Sequence, residues 1–132
     1  MQVQLQGSSG GSIADGANVL FDVSLNSISP NIAYAAATGV FTITESGTYY
    51  INWWINTDGA EALSNVEFTI ETSAGGSISA VSPSPVVTTQ LSGNALITVV
   101  APVTFSLVNN SGATVTFGTS AVQADLTVVQ VV

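Results

Sequence analysis

Hydrophobic and polar residues alternate along most of this chain, in short runs separated by Gly, Pro, Asn and Ser. In the run 65–72, NVEFTIET, the apolar residues Val66, Phe68 and Ile70 occupy even-numbered positions, and polar residues occupy all the odd-numbered ones. Successive side chains of a strand point to opposite faces, so this alternation is typical of a β-strand with one buried and one solvated face. We find no segment that combines the period of an amphipathic helix with helix caps.

Further runs of this kind follow one another between turn signals, at 18–26, 32–39, 40–44, 47–58, 94–101, 103–109, 113–118 and 121–132. About ten short strands at this spacing predict an all-β fold, a two-sheet antiparallel sandwich of the jelly-roll type. The predicted core consists of large apolar side chains from these runs: Phe21, Phe41, Tyr49, Ile51, Trp53, Ile55, Phe68 and Phe105.

The run 94–101, NALITVVA, is apolar on both faces, and the run 47–58, GTYYINWWINTD, also lacks the usual solvated face. Members of the predicted core fill one parity, whereas Tyr50, Asn52 and Trp54 fall on the other. One face of a sandwich strand meets the other sheet, so a second aromatic face needs a further partner, and the simplest one is another subunit. We therefore predict that Tyr50, Asn52 and Trp54 lie at an interface between copies of the chain.

The first residues differ from the rest in composition. Residues 1–12, MQVQLQGSSGGS, end in a Gly- and Ser-rich stretch that is typical of a flexible linker. We interpret them as a linker or a junction to a stalk, although residues 2–6 could pair as an edge strand. The predicted jelly-roll domain then spans residues 13–132.

The charge balance excludes several functions. The chain of 132 residues has no Lys, Arg, His or Cys, and its eight Asp and Glu residues give a net charge of −8. Nucleic-acid binding and attraction to anionic membranes both need cationic side chains, so neither partner is expected. A Ser-His-Asp triad, a Cys-His pair and a thiolate metal site are impossible.

The carboxylates of the chain give only weak candidates for a catalytic pair or a metal site. Glu67 and Glu71 share one face of a strand and could in principle form a glycosidase pair, but such a face is usually just solvated. Asp58 and Glu61 in the loop TDGAE are a weak candidate for Ca²⁺, because the set of oxygen ligands is incomplete. We expect neither an enzyme nor a cofactor or metal requirement.

The adjacent tryptophans allow two interpretations. Trp53 and Trp54 point to opposite faces of one strand, so at most one of them could stack on a sugar ring. Core packing for one and an interface position for the other is the simpler interpretation.

A series of residues in 19–57 keeps the order and spacing of a known motif set: Phe21-Asp22, Asn26, Tyr34, Thr38-Gly39-Val40-Phe41-Thr42 and Gly47-Thr48-Tyr49-Tyr50. This segment resembles the C1q/TNF-like jelly-roll superfamily. Within it, the chain looks most similar to the C-terminal domain of BclA-type collagen-like exosporium glycoproteins. Those domains share the late Gly118-Thr119-Ser120-Ala121 followed by an alternating apolar strand.

The resemblance implies a homotrimer that serves as a non-catalytic tip or display domain of a bacterial spore-surface or appendage protein. The implied partners are two further copies of the chain and an N-terminal collagen-like or fibre stalk, and the implied location is the extracellular surface, the exosporium or an appendage. The alternative is a carbohydrate- or host-binding recognition module, of lectin type or at a phage-fibre tip. The chain departs from the family in lacking a Gly-X-Y repeat and basic ligand-binding residues.

Overall fold

The computed structural model describes residues 1–60, 64–84 and 88–132. These residues form twelve strands: β1 (Gln2–Leu5), β2 (Ser12–Ile13), β3 (Val23–Asn26), β4 (Ile32–Ala35), β5 (Val40–Ile43), β6 (Gly47–Ala60), β7 (Glu67–Thr72), β8 (Ser77–Val81), β9 (Thr89–Val99), β10 (Val103–Asn109), β11 (Val115–Phe117) and β12 (Ala124–Gln130). Two antiparallel sheets pack face to face, so the predicted all-β sandwich is confirmed. No helix in the described residues is long and apolar enough to cross a membrane.

The larger sheet has seven strands in the order β2-β11-β6-β12-β1-β3, with β9 on the other edge of β6. The smaller sheet has five strands in the order β4-β5-β10-β7-β8. Strand β6, with 14 residues, is the longest and organises the larger sheet. One edge of β6 pairs with β9 along most of its length, and the other pairs first with β12 and then with β11.

The core lies between the two sheets. Every side chain of the predicted core is at most 1% exposed: Phe21, Phe41, Tyr49, Ile51, Trp53, Ile55, Phe68 and Phe105. Phe41 and Phe105 stack with ring centroids 4.6 Å apart, and Phe21 meets Phe41 edge-on at 6.1 Å. Such aromatic pairs add to the free energy gained from burying their apolar area.

The N-terminal residues are part of the sandwich, in contrast to the predicted linker. Strand β1 pairs with β12 on one side and with β3 on the other, so it is not an edge strand either. Val3 and Leu5 are buried in the core, while Gln2 and Gln4 point outward. The alternation Gln-Val-Gln-Leu is itself a strand pattern, and the Gly- and Ser-rich composition describes only the connection from β1 to β2.

Candidate functional site

The outer face of the smaller sheet carries carboxylates and hydroxyls, together with the exposed Val81 of β8. Glu67 and Glu71 of β7 lie on it together with Thr69, whose hydroxyl is 2.8 Å from that of Ser79 on β8. Hydroxyls of β10, such as that of Thr104, continue the same surface. This face carries carboxylates and hydroxyls, as expected for a sheet surface in contact with water.

The outer face of the larger sheet has a different chemistry. The structure places Tyr50, Asn52 and Trp54 of β6 on this face, pointing away from the core. Asn52 lies between Asn94 of β9 and Thr127 of β12. Aromatic rings, amides and hydroxyls therefore follow one another along the centre of the sheet.

An exposed apolar patch occupies one end of this outer face. Tyr50 is 36% exposed and lies between Leu96 of β9, which is 65% exposed, and Val129 of β12, which is 42% exposed. Val131 continues the patch along the chain and is 50% exposed. We call Tyr50, Leu96, Val129 and Val131 the apolar patch. Contiguous exposed apolar side chains of this kind are typical of contact surfaces.

The middle of the same face contains one carboxylate, and it is covered. Asp125 of β12 lies opposite Trp54 and is only 6% exposed. Its Oδ2 accepts hydrogen bonds from Gln2 Nε2 at 2.8 Å and from Gln4 Nε2 at 2.9 Å. The two glutamine amides thus take the place of the cation that this chain lacks, and they shield the charge from the surface.

The weak Ca²⁺ candidate gains no support from geometry. Asp58 lies at the end of β6, where its Oδ1 accepts a hydrogen bond from Thr88 Oγ1 at 2.7 Å. Glu61, the second proposed ligand, lies outside the described residues. Within residues 1–60, 64–84 and 88–132, no three His, Cys, Asp or Glu side chains are grouped so that they could hold a metal ion.

The two tryptophans occupy different environments. Trp53 is 1% exposed and packs near Phe68 in the core, with ring centroids 6.4 Å apart, so it is not accessible to a sugar. Trp54 is half-buried on the outer face of the larger sheet. Of the two tryptophans, only Trp54 can therefore contribute an aromatic surface to a partner or ligand.

Residues of this face on other strands were not among the predicted interface residues. Leu96 falls in the run 94–101, whose apolar character on both parities was the available signal. Gln2 and Gln4 were overlooked because the N-terminal segment was assigned to a linker. No sequence signal pairs these glutamines with Asp125, since the contact joins opposite ends of the chain.

Neither a protein-family model nor a curated protein matches this chain. Solved structures do match. The globular domain of zebrafish complement 1qA protein superposes with a TM-score of 0.75 at 17% sequence identity, and the match covers 99% of this chain and 95% of that one. Eiger TNF from S. frugiperda has a TM-score of 0.71 at 11% identity, covering 100% of this chain and 92% of that one.

A third structure, the PRD1 vertex protein P5, has a TM-score of 0.60 at 14% identity, and the match covers 99% of this chain and 72% of that one. These likenesses establish the fold, which is a C1q/TNF-like jelly roll. The fold expected from the resemblance in residues 19–57 is therefore confirmed. At these identities the likeness carries no further information on what the chain binds.

Proposed function

We propose that this chain is a non-catalytic display domain that assembles into a homotrimer through the outer face of its larger sheet. One observation carries the proposal: the apolar patch, a group of four exposed apolar side chains, lies on the face of the sandwich opposite to the one that carries Glu67 and Glu71. The apolar patch is on the larger sheet, whereas Glu67 and Glu71 are on the smaller one. A surface that meets copies of itself needs this separation.

Electrostatic repulsion favours the larger sheet as the interface, because this chain has no cationic side chains. A trimer carries a formal charge of −24 (3 × −8), and no Lys, Arg or His offsets it. Two like charges 4 Å apart repel by about 4 kcal/mol at the effective dielectric constant near a protein surface. Contact through the smaller sheet would bring Glu67 and Glu71 into the interface. Strands β6, β9 and β12 carry two carboxylates, the covered Asp125 and the terminal Asp58.

Burial of the apolar patch makes a favourable contribution to the free energy of assembly. Leu96 is 65% exposed and Val129 is 42% exposed in the single chain. Fully burying an aliphatic side chain of this size contributes about 1.5–3 kcal/mol, so covering Leu96 contributes roughly 1–2 kcal/mol per copy. Tyr50 adds an aromatic ring with a polar end, a side chain that is enriched at interfaces.

We further propose that the domain forms the tip of a stalked protein on a bacterial spore surface or appendage, of the BclA type. The motif residues of 19–57 and the late segment 118–121 support this assignment. The ammonium group of Met1 donates to Val128 O at 2.8 Å, so a stalk preceding Met1 would enter beside β12 at the proposed interface. A collagen-like Gly-X-Y segment fused before Met1 should melt at a higher temperature than the same segment alone. Equal melting temperatures would refute the stalk function.

Replacing one exposed leucine tests the interface. Leu96→Glu should convert trimers to monomers, because it would bury a carboxylate at each of three contacts. Its exposed position should leave the fold of the single chain intact, which circular dichroism would verify. Analytical ultracentrifugation or native mass spectrometry reports the assembly state.

The matched control is Val81→Glu. Val81 is 47% exposed on β8, the edge strand of the smaller sheet, and it lies opposite Glu67. This variant adds the same charge beside an existing one, yet it should remain trimeric. Wild-type protein that is monomeric at micromolar concentration, or Leu96→Glu that assembles like wild type, would refute the proposed interface.

A second candidate function is a recognition module for carbohydrates or a host surface. A separate feature favours it, a polar cavity at the far end of β6 from the apolar patch.

A further inference from the structure

The edge of β6 changes partners at Asn56. Ile55 still pairs with Ala124 of β12, but Thr57 pairs with Phe117 of β11. Between them, the backbone N–H of Asn56 donates to Gln123 O at 2.7 Å, and its carbonyl accepts from Gly118 N at 2.9 Å. The connection from β11 to β12 therefore leaves the sheet at this point and forms a wall beside β6.

A cavity of about 310 Å³ lies here. Asn56 and Thr57 of β6 line it, together with residues 88–90 at the start of β9 and residues 118–120 of the connection. We call this cavity the polar cup. Its volume is at the lower end of the ~300–1,000 Å³ typical of small-molecule sites.

The residues that line the polar cup are uncharged, and they present both hydrogen-bonding groups and apolar carbons to the cavity. Every lining residue except Gly118 carries a hydroxyl or a carboxamide, and none carries a charge. Within the described part of the chain, the side chains of Gln90 and Thr119 make no hydrogen bond. Both side chains are exposed, so their hydrogen-bonding groups are available to a ligand.

Part of this lining is already held in place. Asn56 Nδ2 donates to Ser120 Oγ at 3.1 Å and to Val122 O at 3.4 Å. Ser120 Oγ in turn donates to Val122 O at 2.6 Å. These bonds fix the wall relative to the strand, which reduces the ordering that a ligand would have to impose.

We infer that the polar cup binds a neutral, hydroxyl-rich ligand, a saccharide without acidic groups. Multiple hydroxyls on a ligand match the amides and hydroxyls of the lining. Trp54 lies two residues before Asn56 on the same face and offers an aromatic edge close to the cup. An anionic ligand is disfavoured because Asp58 is nearby and the net charge is −8.

The inference is independent of the proposed self-association. Asn56 is six residues from Tyr50 along β6, a distance of about 20 Å at the rise of a β-strand. The cup and the apolar patch are thus at opposite ends of one sheet face. A monomeric protein that binds sugars would refute the proposed trimer but support the sugar site in the cup. A trimer that binds no sugar would support the proposed assembly but refute the sugar site.

NMR titration of the full chain tests the inference. Glucose, galactose, mannose and N-acetylglucosamine, each titrated into the millimolar range, are the neutral probes, and sialyllactose and heparin are the anionic ones. At least one neutral sugar should shift the amide signals of residues 88–90 and 118–120 in a saturable way. The anionic probes should produce no saturable shift at these amides.

A pair of glutamine variants provides the control. Gln90→Ala removes a carboxamide from the cup and should weaken binding about tenfold, the loss expected for one hydrogen bond to a ligand. Gln6→Ala removes an exposed carboxamide outside the cup and should leave binding unchanged. The inference is overturned if no neutral probe gives saturable shifts, if both variants bind like wild type, or if sialyllactose binds better than the neutral sugars.

Discussion

Gly93 and Trp53 provide a sharp test of the packing between β6 and β9. Gly93 lies directly opposite Trp53 in the register of the two strands. A Cβ atom added at Gly93 would be 2.6 Å from Trp53 Cζ2 and 2.7 Å from Cε2. Ordinary carbon–carbon contacts are ~3.5–4.0 Å, so Gly93→Ala requires the indole ring or the strand to move by about 1 Å.

The magnitude follows from the burial of the ring. Trp53 is 1% exposed and packs near Phe68, so the indole cannot rotate into solvent. Inserting a methyl group into a well-packed core costs about 1–3 kcal/mol. Alanine recovers ~0.4–1 kcal/mol by restricting the unfolded chain. We expect Gly93→Ala to lower the free energy of unfolding by about 1–2 kcal/mol and Tm by roughly 4–8 °C.

Calorimetry or urea titration measures this loss, with Gly76→Ala as the matched control. A Cβ at Gly76 meets only Thr72 Oγ1, at an ordinary 3.4 Å, so this variant should differ from wild type by less than about 0.5 kcal/mol. The double variant Trp53→Phe/Gly93→Ala should be less destabilised than the sum of the two single variants, because the smaller ring makes room for the methyl group. Full additivity, or a Gly93→Ala variant as stable as wild type, would refute the reasoning.

Two further predictions concern buried polar groups. Asn109 is fully buried, and its Nδ2 donates to the carbonyls of Ile13 and Ala113, both at 3.0 Å. Asn109→Ala should therefore lower the free energy of unfolding by about 2–4 kcal/mol in urea titration, and the exposed control Asn110→Ala by less than about 0.5 kcal/mol; equal effects would contradict the assignment. Burial raises the pKa of Tyr34 from 10.0 to about 12. Between these two pH values the folded chain therefore keeps the hydroxyl proton of Tyr34, whereas the unfolded chain loses it. The urea midpoint of the wild-type protein should be highest below pH 10 and should fall as the pH rises toward 12. The urea midpoint of Tyr34→Phe should fall less steeply over this range. Parallel curves of urea midpoint against pH for the two proteins would argue against this assignment.

The sequence predicted which residues face inward, but it could not predict which residues lie side by side. Tyr50 and Trp54 were placed on the outer face by strand parity alone, which is a local property of one run. Leu96 and Val129 were not grouped with Tyr50, because their proximity depends on the register of β9 and β12 against β6. Register is fixed by contacts between distant segments. The polar cup was missed for the same reason, since its walls come from three separate parts of the chain.

The absence of cationic side chains shapes both candidate surfaces. With no Lys, Arg or His, the chain itself offers a carboxylate only neutral donors and the N-terminal ammonium group. Neutral donors serve four carboxylates: the N–H of Gly112 for Asp15, the N–H of Gln6 for Asp22, the hydroxyl of Thr88 for Asp58, and the amides of Gln2 and Gln4 for Asp125.

These bonds are charge-assisted and stronger than neutral ones, but they leave the negative charge in place. Contact with another copy is therefore favoured where carboxylates are covered, as Asp125 is by two glutamines. The net charge of −8 likewise disfavours anionic ligands, and the uncharged residues of the polar cup suit a neutral one. Both proposals thus follow from a single physical constraint, and the Leu96→Glu and Gln90→Ala variants test its two consequences separately.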